Sequence, residues 1–420
     1  MNESTVQLKE AKTLPQGWRW VRLGEVCDGD SGIWGDIPDG SKECYPILRS
    51  NNIQGGTMGL SDVAIRKVIE PSIVEAKSLQ MGDILVTTSS GSKDLLGKSA
   101  LFFQPSDGQK YLFSNFTMRL RPRAQISEPF FLYFYLQSSE AKQVLRLLQD
   151  TTTGLRNLDR KEFLAQAVPL PPIPEQKRIA AKLQKLIAEV EHARTACEAR
   201  LEAAKALPKA YLRQVFESKE AKKWERKRLG ELFGVQQGVA MSPERREGRT
   251  PYPFLRTLNV LWGRVDLSML DKMDFTDEEV SKLSLKPGDL LVCEGGEVGR
   301  TAIWRGEMDT CLYQNHIHRL RKLNDTIVPQ FYMYWMQAAF QVFGSYSGEE
   351  SKTTIPNLSG NRLKSFMFPL PPTEEQKRIA AEFKDQMAGV EKLKASIEKE
   401  LEGINTLPQA ILRKAFRGEL

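Results

Sequence analysis

One thirteen-residue stretch occurs twice in this chain. Pro169-Leu-Pro-Pro-Ile-Pro-Glu-Gln-Lys-Arg-Ile-Ala-Ala181 returns as Pro369-Leu-Pro-Pro-Thr-Glu-Glu-Gln-Lys-Arg-Ile-Ala-Ala381. Proline lacks a backbone donor but presets φ for a first helical turn, so a proline-rich stop running into a charged, amphipathic pattern marks an element boundary. Meeting that boundary twice makes the chain a tandem duplication, to be read in two registers.

The rest of the chain follows the same pairing. Trp18-x4-Leu23-Gly24-Glu25 is answered by Trp224-x4-Leu229-Gly230-Glu231, and Tyr45-Pro-Ile-Leu-Arg49 with Asn52-Ile53 by Tyr252-Pro-Phe-Leu-Arg256 with Asn259-Val260. Gly82-Asp83-Ile-Leu-Val86 pairs with Gly288-Asp289-Leu-Leu-Val292, each read as a glycine turn delivering a short buried strand. Gly97-Lys98-Ser99-Ala100-Leu101 pairs with Gly299-Arg300-Thr301-Ala302-Ile303, and Asn115 with Arg119-Leu120-Arg121 pairs with Asn315 and Arg319-Leu320-Arg321. Pro129 and Pro329 each open an aromatic-rich helix. The copies diverge most in Ser31–Lys42 against Gly238–Thr250, and in Thr87–Leu96 against Cys293–Val298.

Behind each proline stop the grammar changes. Ile179, Leu183, Leu186, Val190, Ala193, Cys197, Leu201 and Ala204 step by three or four; so do Ile379, Phe383, Met387, Val390, Leu393, Ile397, Leu401 and Ile404. This is coiled-coil spacing, with Glu, Lys and Arg on the other faces. Each helix is expected to end near a second proline, Pro208 or Pro408, followed by a short coda. Two narrow apolar stripes of equal length most simply bury each other.

Catalytic signatures are missing. Gly91-Ser-Lys-Asp-Leu-Leu-Gly97-Lys98-Ser99 has five residues between its glycines where a phosphate-cradling loop needs four, and strand-like Ala100-Leu-Phe-Phe103 follows it. Asp289, Glu294 and Glu297 lack the lysine a metal-dependent nuclease would place behind them, and first-copy Asp83 lacks the downstream acids. His316 and His318 have no third ligand nearby. The sequence has no Asn-Pro-Pro-aromatic or Asp-Pro-Pro-aromatic tetrapeptide. The expectation is a non-catalytic chain with no cofactor and no metal of its own.

Five cysteines without a Cys-x-x-Cys pair predict reduced thiols. The longest apolar run, near Phe130–Leu136, is too short for a bilayer, and the N-terminus has no signal-like apolar region. A cytoplasmic protein without membrane contact is expected. Lys+Arg 60 against Asp+Glu 53 gives +7, an excess that suits a nucleic-acid partner without demonstrating one. The candidate contacts are polar and basic residues in the turns: Arg49, Asn51, Asn52, Ser89, Ser90, Lys93, Lys98 and Asn115 in the first copy. In the second they are Gln236, Gln237, Arg245, Arg246, Arg249, Arg256, Asn259 and Arg300. Arg and Lys pair with guanine edges and phosphates, Asn and Gln with adenine.

With both copies laid out, the pattern resembles the specificity subunits of type I restriction–modification enzymes. Leu14-Pro-x-Gly-Trp18-x4-Leu23-Gly24-Glu25, the two Gly-Asp strand entries and the twin Pro-Leu-Pro-Pro-x-x-Glu-Gln-x-x-Ile-Ala-Ala elements carry the resemblance across nearly the whole chain. It implies an α+β fold: a tandem duplication of two mixed α/β target-recognition domains joined by two long helices in an antiparallel coiled coil. The boundaries expected are a lead at 1–14, recognition domains at 15–168 and 219–368, and proline stops with coiled-coil helices at 169–218 and 369–420. The resemblance also implies that each domain reads half of an asymmetric, interrupted duplex DNA site. Two methyltransferase subunits would dock on the chain, and two restriction (helicase–nuclease) subunits can join them. S-adenosylmethionine, ATP and magnesium would belong to those partners. From the residues alone, a coiled-coil adaptor binding only proteins and a nucleotide-dependent enzyme built on the glycine turns remain alternatives.

Overall fold

The structure, a computed structural model, describes residues 14–90, 95–148, 156–246, 251–344 and 358–420. The chain divides into two compact units, one of residues 1–197 and 400–420, the other of 198–399.

The first unit is built on a four-stranded antiparallel sheet of β1 (Cys27–Ser31), β2 (Ile84–Thr87), β3 (Ser99–Leu101) and β4 (Thr117–Pro122), in the order β1-β4-β2-β3. A three-stranded sheet of Leu112–Phe113, Cys44–Leu48 and Ala64–Lys67 adjoins it, and Arg19–Arg22 pairs antiparallel with Ala167–Leu170. The second unit repeats the plan. Its sheet runs β5-β8-β6-β7, from β5 (Phe233–Gln237), β6 (Leu290–Cys293), β7 (Thr301–Ile303) and β8 (Ile317–Lys322). Pro251–Leu255 lies between Asp271–Asp274 and Leu312–Tyr313, and Glu225–Arg228 pairs with Met367–Leu370.

The Gly-Asp repeats form the entries to the central strands. Gly82 and Gly288 sit at φ +92° and +93°, where a side chain would be strained. The aspartate that follows closes the turn, accepting from Gln80 N at 2.8 Å, or from Lys286 N at 2.8 Å. Its carboxylate is fully buried and is held by two bonds from the second arginine of the Arg-Leu-Arg run. Arg121 Nε and Nη2 reach Asp83 at 2.8 and 2.7 Å; Arg321 reaches Asp289 at 2.8 and 2.6 Å. Strand entry and neighbouring strand are thus locked by a bidentate ion pair, the geometry in which a desolvated carboxylate is best compensated.

Packed on the sheets are α1 (Pro129–Gln137) and α3 (Pro329–Gln341), buried almost all round, which explains why their sequences are aromatic-rich rather than amphipathic. The long helices are α2 (Ile173–Phe216) and α4 (Thr373–Ala415). They run through Pro208 and Pro408 instead of ending there. A mid-helix proline forfeits one hydrogen bond and costs about 3 kcal/mol. Beyond it, Leu212 and Phe216, or Leu412, Ala415 and Phe416, enter a core, and burying a side chain of this kind returns about 1.5–3 kcal/mol.

Each unit holds the start of one long helix and the end of the other, which is antiparallel pairing. In the first, Ile179, Ala180 and Leu183 share a core with Leu412, Ala415 and Phe416, and the Phe416 ring lies 5.4 Å from Phe131 and 5.3 Å from Tyr135. In the second, Ile379 and Phe383 share a core with Leu212 and Phe216, whose ring stacks on Phe383 and lies 5.6 Å from Phe331. The coda of each repeat therefore completes the core of the opposite repeat.

Ile179, Leu183, Val190, Cys197 and Leu201 are buried, as are Ile379, Phe383, Val390 and Ile397; Met387 and Leu401 are half-buried. Two seam assignments change. Leu393 is 42 % exposed while its neighbour Lys394 turns partly inward, and Ile187 rather than Leu186 packs on the core. Sevenfold steps from Leu183 fall on 190, 197 and 204 and those from Ile187 on 194 and 201, so the charged Arg194 and its counterpart Lys394 occupy half-buried inner positions. Each is tied to the glutamate one turn before it, Glu191 or Glu391.

The Glu-Gln of the twin motif has a structural explanation. Gln176 is wholly buried: its Oε1 accepts from Glu128 N at 2.9 Å, and its Nε2 donates to the Ile126 and Pro171 carbonyls at 3.0 and 2.8 Å. Gln376 makes the same three bonds, to Val328 N and to the Thr326 and Pro371 carbonyls. One side chain thereby fastens the proline stop, the start of the long helix and the loop leading into the aromatic helix.

Candidate nucleic-acid interface

The divergent loops gather at one end of each four-stranded sheet. In the first unit that end is built from Ser31–Gly32, Thr88–Ser90, the turn Ser114–Thr117 and the strand Arg156–Asn157. Thr88 N and Ser89 N both donate to the Phe116 carbonyl, at 2.9 and 3.3 Å, and Leu158 N donates to the Thr88 carbonyl at 2.8 Å. Ser89–Ser90 pairs with Arg156–Asn157. In the second unit Glu294 N donates to the His316 carbonyl at 2.9 Å and Leu358 N to the Glu294 carbonyl at 2.9 Å. A glycine backs each turn. A Cβ on Gly32 would stand 2.1 Å from the Phe113 oxygen, and one on Gly238 would stand 2.2 Å from the Tyr313 oxygen. Only a residue without a side chain allows that approach.

On these matching frames the side chains differ. The first turn presents Asn115 and Phe116 to solvent, beside half-buried Ser89 and Ser90. The second presents His316, with Gln237 beneath it donating to Glu294 Oε2 at 2.8 Å and to the Asn315 carbonyl at 2.9 Å. His318, next but one along the strand, is buried with Nε2 2.8 Å from the Leu358 carbonyl. Neither histidine belongs to a metal set: the described residues contain no group of three or more His, Cys, Asp or Glu placed to hold an ion.

Of the other candidates, Asn52 and Asn259 are corrected. They are 2 % and 1 % exposed and act as loop staples. Asn52 Nδ2 donates to the Gly59 and Asp62 carbonyls, both at 2.9 Å; Asn259 Nδ2 donates to the Asp266 and Met269 carbonyls at 2.9 and 2.7 Å. Neither has an amide left to read a base edge. Arg49 and Asn51 lie on the same turn as Asn52 and both reach Asp62, at 3.4 and 3.3 Å. Arg256 pairs with Asp271 at 2.9 Å, and Arg246 approaches the same carboxylate at 3.9 Å.

Arg245 is bound bidentately to Glu279, at 2.9 and 2.8 Å, and holds that carboxyl below the usual glutamate range. Arg300 pairs with Glu297 and donates to the Thr257 carbonyl, bringing that turn to the end of β6. Gln236 donates to the Gln237 carbonyl at 2.8 Å. Lys98 is exposed at the end of β3, and Thr87 N donates to its carbonyl. Lys93 and Arg249 lie outside the described residues. The structure thus groups Ser89, Ser90 and Asn115 on one frame and Gln236, Gln237 and Arg300 on the other, and sets Arg49, Arg245, Arg246 and Arg256 beside carboxylates.

Sequence reasoning left out Phe116 and His316 as exposed tips and Lys142 and Arg146 as surface cations. It also missed the Asp83–Arg121 and Asp289–Arg321 pairs, although a signal was there. Aspartate and arginine recur together in both copies while the loops between them change, as a coupled pair would.

Comparison with known proteins agrees with the architecture. The family model described as "Type I restriction modification DNA specificity domain" matches twice, at residues 15–198 and 221–403. The chain therefore belongs to the family of DNA-specificity proteins of type I restriction–modification systems and carries two copies of its domain. It is 27 % identical over 430 residues to the EcoKI specificity subunit of Escherichia coli (strain K12), covering 98 % of this chain and 90 % of that one. Against the StySPI specificity subunit of Salmonella potsdam the identity is 26 %, covering 97 % and 90 %. Among solved structures, the HsdS subunit from Thermoanaerobacter tengcongensis superposes with a TM-score of 0.67 at 25 % identity, over 98 % of this chain and 99 % of that one. A chain from a study of complex assembly and conformational transition of the type I R-M system gives a TM-score of 0.73 at 24 % identity, over 97 % and 100 %. No helix among the described residues is long and apolar enough to cross a membrane.

Proposed function

We propose that this chain is the DNA-reading subunit of a type I restriction–modification complex, each unit recognising one half of a bipartite, asymmetric duplex site. The carrying observation is the contrast within each unit. The frame is held by the same buried staples in both, Asp83–Arg121 with Gln176 and Asp289–Arg321 with Gln376, while the side chains on the sheet-end turns differ. A duplicated frame with unlike tips reads two unlike sequences.

In this reading Ser89, Ser90, Asn115, Gln236, Gln237 and Arg300 contact base edges or the phosphates beside them, and Arg49, Asn51, Lys98, Arg245, Arg246 and Arg256 supply positioning and field. The chain is a non-catalytic cytoplasmic scaffold. Two modification subunits dock on it to methylate and restriction subunits join to cleave, so S-adenosylmethionine, ATP and magnesium are handled by those partners.

The test is methylation-site mapping in cells carrying the complex. Exchanging Ser89, Ser90 and Asn115 should change one half of the methylated motif and leave the other intact; exchanging Gln236 and Gln237 should change the opposite half. A change in both halves from either set contradicts the two-reader arrangement.

A further inference from the structure

Beside the Gly97 turn of the first unit lies a cavity of about 430 Å³, within the roughly 300–1,000 Å³ typical of small-ligand sites. Among the described residues its lining includes Gly56, Lys98, Ser99, Gln137, Lys142 and Arg146, and no carboxylate. We propose that this cavity is a phosphate-binding site, taking either a backbone phosphate of DNA or the phosphate of a free nucleotide.

The argument begins with charge. Lys67, Lys77, Lys110, Arg121 and Arg123 of this unit each pair with a carboxylate. Lys98, Lys142 and Arg146 have no ion-pair partner among the described residues, yet they line one cavity. Lys142 and Arg146 stand one helical turn apart on Ser139–Leu147, a like-charge spacing that costs an isolated helix about 0.2–0.5 kcal/mol. Partial desolvation of the head group, and then the neighbouring Arg146, push the Lys142 ammonium below its usual value, although the residue as a whole is exposed. An anion in the cavity relieves both penalties.

Hydrogen-bond capacity points the same way. Ser99 is buried and its Oγ accepts from Gln137 Nε2 at 2.9 Å, which leaves the hydroxyl proton available to an acceptor in the cavity. Gly55 and Gly56, at φ +57° and +87°, form the hairpin turn at the rim, held there by Tyr133 Oη donating to the Gly56 carbonyl at 2.6 Å. Gly97-Lys98-Ser99 is the stretch whose spacing rules out a P-loop. Here the phosphate would be held by cationic side chains, not by a nest of amides. The second unit keeps a hydroxyl at Thr301 and an amide at Gln337 but differs in its cations. Arg300 pairs with Glu297, Val342 is the sequence counterpart of Lys142, and a Cβ on Gly299 would come within 2.4 Å of the Phe340 ring. The unpaired cationic lining is therefore not repeated at Arg300 and Val342.

The DNA source rests on the function proposed above; the site does not. The test compares the full chain, with its modification subunits, against a Lys98→Ala/Lys142→Ala/Arg146→Ala variant. All three side chains are exposed, so an unchanged thermal midpoint serves as the folding control. One arm titrates salt against a duplex carrying the recognised site and a scrambled duplex. The other titrates inorganic phosphate by calorimetry.

If the cavity takes a backbone phosphate, the log–log salt slope falls by about 0.9 on both duplexes, so the advantage of the wild type shrinks about 3.5-fold between 50 and 200 mM salt. If the slopes coincide but only the wild type binds phosphate, the site stands and its ligand is a free phosphate or nucleotide. If variant and wild type agree in both arms, the proposal is overturned. A wild type that binds neither duplex sinks the DNA reading, while the phosphate arm still decides the site.

Discussion

Replacing Gln176 by Met isolates the staple from the packing around it. The two side chains have similar volume, so no large cavity opens, but the three hydrogen bonds to Glu128 N and to the Ile126 and Pro171 carbonyls vanish. The Glu128 amide then loses its partner at a buried site, and an orphaned donor costs about 1–3 kcal/mol. The carbonyls each lose one of two acceptor bonds, bringing the expected loss to about 2–4 kcal/mol. For a unit of this size, 1 kcal/mol moves the melting midpoint by about 2–4 °C, so a drop of roughly 6–12 °C is expected for a loss near 3 kcal/mol. Gln376→Met should do the same through Val328 N and the Thr326 and Pro371 carbonyls. Scanning calorimetry of the full chain reads both variants, and Gln176→Glu provides a further control. A carboxylate can accept from Glu128 N but cannot donate to the two carbonyls, so it should be worse than Met at neutral pH. Should Gln176→Met and Gln376→Met both melt within 1 °C of the wild type, the motif is not repeated for this staple and the reasoning fails.

Three further outcomes follow from the same geometry. Arg121→Met strands the buried Asp83 carboxylate and should cost about 3–5 kcal/mol in chemical denaturation, while Arg121→Met/Asp83→Asn recovers most of it. Arg245 depresses the proton affinity of Glu279, so the pair contributes stability above the ordinary glutamate range that is lost as pH falls through the depressed value. Glu279→Gln should flatten that acid limb and cost at most about 1 kcal/mol at neutral pH, because both side chains remain partly solvated. Burial raises the thiols of Cys27, Cys293 and Cys311 to about 12, 11 and 12, so at pH 8 a maleimide should label half-exposed Cys44 first and reach those three only on unfolding.

Much of the architecture is present in the one-dimensional pattern because duplication supplies an internal comparison. Proline stops, Gly-Asp turns and heptad stripes depend on local backbone chemistry, which acts over a few residues and so leaves its mark at fixed spacing. Residues 169–181 and 369–381 announce the boundary, and Leu183, Val190 and Cys197 announce the buried stripe. Three-dimensional proximity decided the rest. Nothing in the spacing of Phe216 or Phe416 says that each packs in the repeat opposite to its own, since that follows from antiparallel pairing of helices that Pro208 and Pro408 do not stop.

The chemistry of a polar side chain was equally hidden. Asn51 and Asn52 are identical in type and adjacent in sequence, yet one reaches an exposed carboxylate while the other is buried among carbonyls. Arg121 and Arg146 differ in the same way: a buried aspartate stands beside the first and other cations beside the second. Composition counts those charges. Only the tertiary fold decides which are cancelled, because cancellation falls off steeply with distance and is set by residues far away in sequence.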